Sequence, residues 1–132
     1  MVLVDTSVWI RFLKNQSPYA AEMARLLDAE EVSGHEMIYG ELLTGDRGDR
    51  ATLLTEYVHI KATATIAHGE VVAFVRARRL KSRGVGWVDV HLLASAIVGR
   101  LKLWTADQSL YALAQELDVA YTPSGPHQKY VF

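Results

Sequence analysis

Four acidic residues, Asp5, Glu41, Asp89 and Asp107, stand where their carboxylates could act together. Asp5 directly follows the apolar run Val2-Leu3-Val4, and Asp107 follows the run Leu101 to Trp104 after two residues. Asp89 begins an apolar segment after Gly86-Trp87-Val88, and Glu41 sits beside Leu42 and Leu43 just before Gly45. Carboxylates held within ~5 Å repel by roughly 3 kcal/mol per ionised pair at an effective dielectric near 20. Such a cluster binds protons or a cation. An all-oxygen donor set in a chain without cysteine selects a hard ion, Mg²⁺ with Mn²⁺ as a substitute. An ion so placed draws in an anionic phosphodiester, polarises it and lowers the pKa of a bound water for in-line attack. A neighbouring carboxylate orients or deprotonates that water. No side-chain nucleophile is required.

Each acid also has a purely structural reading. Asp5 and Asp107 are suitable helix caps. Asp89 is a first-turn acid favoured by the helix dipole. Glu41, in a last helical turn, meets the unfavourable end of the dipole, and its apolar neighbours point to burial. The set is therefore more telling than any member.

The elements that must position these acids follow from periodicity. Val2 to Val4 is too short for a helix and reads as a buried strand, and Asp5-Thr6-Ser7 caps a helix carrying Val8, Trp9, Ile10, Phe12 and Leu13. A second helix runs from Ser17-Pro18 through Leu27, with Ala20, Met23, Ala24 and Leu27 inward, and a brief strand is expected over 31–33. A third helix carries Met37, Ile38, Glu41 and Leu42, and a fourth carries Leu53, Leu54, Tyr57 and Val58 after a charged turn over 46–49. A longer amphipathic segment spans 66–81, with Val71, Phe74, Val75 and Leu80 inward, and a strongly apolar helix spans 88–98. Leu101 to Trp104 is a second clear strand, 110–117 a further helix, 119–121 a final short strand, and a loop follows from Pro123. Short apolar strands alternating with amphipathic helices specify a parallel sheet covered on both faces. Ligands on such sheets gather at the strands' carboxyl ends, where Asp5 and Asp107 fall.

Composition sets the bounds. A chain of 132 residues is one domain's worth. Half its residues are hydrophobic and 22% charged, an ordinary globular balance. The apolar runs are too short to cross a bilayer and the N-terminus lacks a signal-peptide pattern, so the expectation is a cytoplasmic protein without membrane contact. A net charge of −1 excludes an indiscriminate nucleic-acid coat; any nucleic-acid role needs a local patch. Arg76, Arg78, Arg79, Lys81 and Arg83 place five cations in eight residues. Arg76, Arg79 and Arg83 are candidate phosphate contacts; a solvated helix end is the other reading, and an acidic partner could also use the patch.

With these residues in hand, the chain resembles the VapC-type toxin ribonucleases of the PIN-domain superfamily. The opening Val2 to Ile10, the stretch Gly40 to Gly45, the stretch Val88 to Ala96 and the stretch Leu103 to Leu110 resemble the family's four motifs in order and spacing. The resemblance implies an α/β fold, a PIN-like three-layer α/β/α sandwich with a short, mainly parallel central sheet, forming a single PIN domain over 1–132. It implies Mg²⁺-dependent cleavage of RNA, a homodimer and a cognate VapB-type antitoxin, with the metal-site acids falling on Asp5, Glu41, Asp89 and Asp107. Thr105, by the same resemblance, bonds an acid or water. Some members carry a further acid two residues after the fourth, where this chain has Ser109, so one metal or two stays open.

Two enzyme-like alternatives and a binding module compete. An aspartate-nucleophile phosphatase wants a second acid two residues after Asp5, where Ser7 stands, and a receiver domain wants an acidic pair and a late lysine. A non-catalytic PIN-like interaction module would not need all four acids. The five histidines show no metal-binding pair at helical spacing and read as structural or surface. Trp9, Trp87 and Trp104 read as core or dimer interface.

Overall fold

The structure, a computed structural model, describes residues 1–123. The elements in chain order are β1 (Val2–Val4), α1 (Thr6–Leu13), α2 (Tyr19–Asp28), β2 (Val32–Ser33), α3 (Glu36–Thr44), α4 (Ala51–Tyr57), α5 (His68–Ala77), α6 (Trp87–Gly99), β3 (Lys102–Trp104) and α7 (Gln108–Glu116). The sheet is parallel, in the order β2-β1-β3, with Leu3 opposite both Ser33 and Leu103. All three residues of β1 are buried, as a central strand covered on both faces by helices requires. Among the described residues no helix is long and apolar enough to cross a membrane.

Two elements differ from the sequence-based expectation. The final strand is reduced to a single parallel bridge between Leu103 and Ala120, although Leu103 N–H still donates to Val119 O at 2.7 Å. The amphipathic segment over 66–81 is helical only from His68 to Ala77. Its end is a Schellman motif: Arg79 is left-handed (φ 55°), Arg79 N–H returns to Arg76 O at 3.3 Å and Leu80 N–H to Val75 O at 3.0 Å. Leu80 is then buried as the apolar residue that locks the motif. Beyond Pro123 the expected loop lies outside the described residues.

The tryptophans divide. Trp9 and Trp104 are buried in the core, but Trp87 is 43% exposed, because it opens α6 at the surface rather than packing within it. Leu43 is likewise half exposed while Leu42 is buried, and in α2 it is Leu26 rather than Ala24 that turns inward.

His35 ties β2 to α3. Its Nδ1 accepts from Met37 N–H at 3.1 Å, and its Nε2 lies 3.0 Å from Ser95 Oγ, which donates to Ala64 O. That chain of donors fits a neutral imidazole with its proton on Nε2. Burial pushes the His35 pKa down, with Glu36 opposing and His91 adding to the shift; burial and His68 depress His91 as well. A depressed histidine stabilises the fold above its unfolded pKa, ~6.5, and this is lost as pH falls toward the folded value. Urea unfolding is therefore expected to show lower stability at pH 5 than at pH 7.5, by on the order of 1 kcal/mol. Replacement His35→Asn should flatten that dependence; an unchanged slope would assign it elsewhere.

Candidate active site

Asp5 ends β1 and continues its ladder, its N–H donating to Trp104 O at 2.9 Å. It occupies the N-cap position of α1 without capping it. Instead Oδ2 accepts from Ser7 Oγ at 2.7 Å and from Thr105 Oγ1 at 2.8 Å. Ser7 Oγ also accepts from Ala106 N–H, and Thr105 Oγ1 from Asp107 N–H. Asp5 and the loop carrying Asp107 are thus one hydrogen-bonded unit across 100 residues of sequence.

The other three acids are each fixed by one oxygen. Asp107 Oδ1 accepts from Leu110 N–H at 2.8 Å and caps α7. Asp89 Oδ2 accepts from Gly86 N–H at 3.0 Å at the start of α6. Glu41 Oε1 accepts from Thr6 Oγ1 at 2.5 Å, which links α3 to the first turn of α1. In all four carboxylates the second oxygen carries no hydrogen bond among the described residues. Asp5 is buried, Glu41 and Asp89 are half-buried and Asp107 is exposed, so the group spans a path from the core to solvent.

The loop before α6 is pinned against α7. Gly84 has φ +83°, a conformation that favours glycine, and it sits against α7, where a Cβ would lie 2.9 Å from Ser109 Oγ. Arg83 pairs with Glu116 on α7. These contacts bring the start of α6, with Asp89, beside the start of α7, with Asp107. The Asp89 pKa is raised, first by burial; the Gly86 N–H opposes this, and the negative charges of Asp5, Asp107 and Glu41 add to it. All four sequence-identified acids therefore share one electrostatic neighbourhood.

Among the described residues no three His, Asp or Glu side chains close into a ready-made metal cage. Repulsion among ionised acids favours such spacing. Mg²⁺ commonly takes only one or two protein carboxylates directly and keeps several waters, so an oxygen-only set with one uncommitted oxygen per acid fits such an ion.

Thr105 bonds an acid, Asp5, directly. The basic residues are apart from this network: Arg76 and Arg79 are exposed at the end of α5, and Arg83 is engaged with Glu116. His91 packs on the opposite side of α6 from Asp89, edge-on to Trp87 at 4.9 Å, and its buried Nδ1 has no partner among the described residues. Ser7 and Thr6 are the members of this hydrogen-bond network that periodicity did not assign to the acids. They read as capping residues, yet their hydroxyls serve Asp5 and Glu41; three polar side chains in a row behind a buried strand were the available signal.

Residues 2–116 match the PIN domain family. The chain belongs to that family. Within it the similarity is to VapC-type ribonucleases: the chain is 39% identical over 121 residues to Ribonuclease VapC32 of Mycobacterium tuberculosis, in two strains, covering 91% of this chain and 95% of the relative. The crystal structure of PAE2754 from Pyrobaculum aerophilum has the same fold, with a TM-score of 0.55 at 18% identity, covering 89% of this chain and 88% of that one.

Proposed function

We propose that this chain is a metal-dependent endoribonuclease, the toxin of a toxin–antitoxin pair, in which Asp5, Glu41, Asp89 and Asp107 hold a divalent ion, Mg²⁺ or Mn²⁺. The observation that carries the reading is the hydrogen-bonded unit joining Asp5, Ser7 and Thr105 to the loop of Asp107 at one edge of the sheet, with the raised Asp89 pKa pointing the same way. The ribonuclease relative at 39% identity supports RNA as the substrate. A bound ion would supply phosphate polarisation and an activated water. The chain's own part is to aim four carboxylate oxygens, using Ser7 and Thr105 on Asp5, Thr6 on Glu41, Gly86 on Asp89 and Leu110 on Asp107. Such outer contacts typically contribute 10–100-fold to metal affinity or activity. The same reading takes 1–132 as a single PIN domain that works as a cytoplasmic homodimer, inhibited by a VapB-type antitoxin, with Arg76 and Arg79 available to RNA phosphates.

The test is cleavage of RNA by the purified chain with and without metal. EDTA is expected to abolish cleavage and added Mg²⁺ or Mn²⁺ to restore it. Cleavage that persists in EDTA would remove the mechanism, and inertness toward RNA with every divalent ion would remove the function.

A further inference from the structure

Adjoining the acids, and sharing Thr105 and Asp107 with them, lies a second feature whose other walls the cleavage chemistry does not use. A cavity of about 290 Å³ is lined by Tyr19, Trp104, Thr105, Asp107, Gln108 and Tyr121, among others. We propose that it is a nucleoside subsite, which receives the base of the nucleotide next to the scissile phosphate. The proposal rests on the RNA-cleaving reading above and deepens it by naming what recognises the sequence around the cut.

Continuity with the acid site is the first argument. Thr105 and Asp107 belong to both, and Thr105 is hydrogen-bonded to Asp5. This wall is therefore within reach of a nucleoside next to a phosphodiester seated over the acids. The charge of the cavity is the second. Asp107 is the one charged residue among its described lining residues, so the cavity repels a phosphate and suits a neutral moiety.

The walls are the third argument. Tyr19 stacks on Trp104 at 6.1 Å with an interplanar angle of 27°, and Tyr121 meets Trp104 at 5.5 Å and 59°. Both tyrosines are held in place. The Arg11 guanidinium lies 5.6 Å from the Tyr19 ring centre, and the Tyr121 hydroxyl donates to Glu22, which Arg25 also binds. Trp104 is the buried support, and the half-buried Tyr19 and Tyr121 form the preorganised aromatic walls, the usual platform for an unpaired base. Gln108, exposed at the first position of α7, carries an amide with no hydrogen bond among the described residues, and such an amide can pair with the edge of a base. Two larger cavities, about 740 Å³ and 370 Å³, have none of the four acids among their described lining residues and offer no such continuity.

The test uses short RNAs in which each position in turn is made abasic, read by kcat/KM, alongside equilibrium binding of the same RNAs measured in a cleavage-deficient Asp5→Asn background. With Gln108 and Tyr19 unaltered, loss of the base at one position beside the cut is expected to lower both cleavage and binding by about 10-fold or more. In Gln108→Ala and Tyr19→Leu that same abasic substitution should cost less than about 3-fold, because the base has already lost its partner. Gln108 is exposed, so its variant keeps the experiment decisive if Tyr19→Leu folds poorly. Equal abasic penalties in natural and variant chains at every position would overturn the subsite while leaving the nuclease reading intact. A natural chain that neither binds nor cleaves RNA would overturn both.

Discussion

Asp5→Asn is expected to lower RNA cleavage by at least ~10³-fold with little change in the folded state. The structure explains why an isosteric change should be so costly. Oδ2 of Asp5 already accepts from Ser7 and Thr105, and Oδ1 is the oxygen left for chemistry. An asparagine has one acceptor oxygen. If it serves the two hydroxyls, an NH₂ group faces the site; if it faces the site, the NH₂ confronts the hydroxyls. Either way the negative charge is gone. The fold should survive, because hydroxyl donors can turn to act as acceptors and the β1 ladder does not depend on the side chain. A graded comparison separates aiming from charge. Ser7→Ala removes one donor to Asp5 and should cost about 10–100-fold, with a shift in the metal concentration needed for half-maximal rate. Cleavage by folded Asp5→Asn at the natural rate would sink the assignment of the site.

The placement of Asp5 and Asp107 was legible in the sequence for a physical reason: each follows a buried strand within three residues, and two such strands in one parallel sheet deliver their ends to the same edge. The hydroxyl network was less legible, since Thr6 and Ser7 are equally good helix caps and nothing in their spacing separates the two duties. Helix ends were the weakest part. Glu30, Arg79, Arg100 and Asp118 each turn the chain out of a helix in the left-handed region, with φ between 55° and 60°. Glycine or asparagine is the expected residue there, so no stop signal was visible. At two of these turns, what compensates is the apolar residue that the turn delivers to the core. Leu80 after Arg79 is buried, and so is Val119 after Asp118. Trp87 shows the converse limit: an aromatic in an apolar run reads as core, but its position at the mouth of α6 leaves it in solvent.

Asp89→Asn should move activity and stability in opposite directions. Activity is expected to fall by at least ~10²-fold, because the site loses one of its anionic oxygens. Thermal stability of the metal-free protein should rise. The sign follows from linkage. The Asp89 pKa is raised in the folded state, so the folded chain binds that proton more tightly than the unfolded chain does. Its contribution is favourable below the unfolded carboxylate value, ~3.9, and is lost as pH rises through the folded value. At neutral pH an ionised Asp89 therefore opposes folding. Asparagine removes the charge, yet its amide oxygen can still accept from Gly86 N–H, so the start of α6 is preserved. A gain on the order of 1 kcal/mol, or ~3–6 °C in Tm at pH 7.5 in EDTA, is expected. The difference should shrink as the buffer approaches pH 4. Added Mg²⁺ should raise the Tm of the natural chain and have a smaller effect on the variant, since an ion that binds only the folded state stabilises it by mass action. A variant less stable than the natural chain in EDTA would mean that Asp89 is held by its cap rather than strained by its neighbours, and the shared acidic field would have to be abandoned.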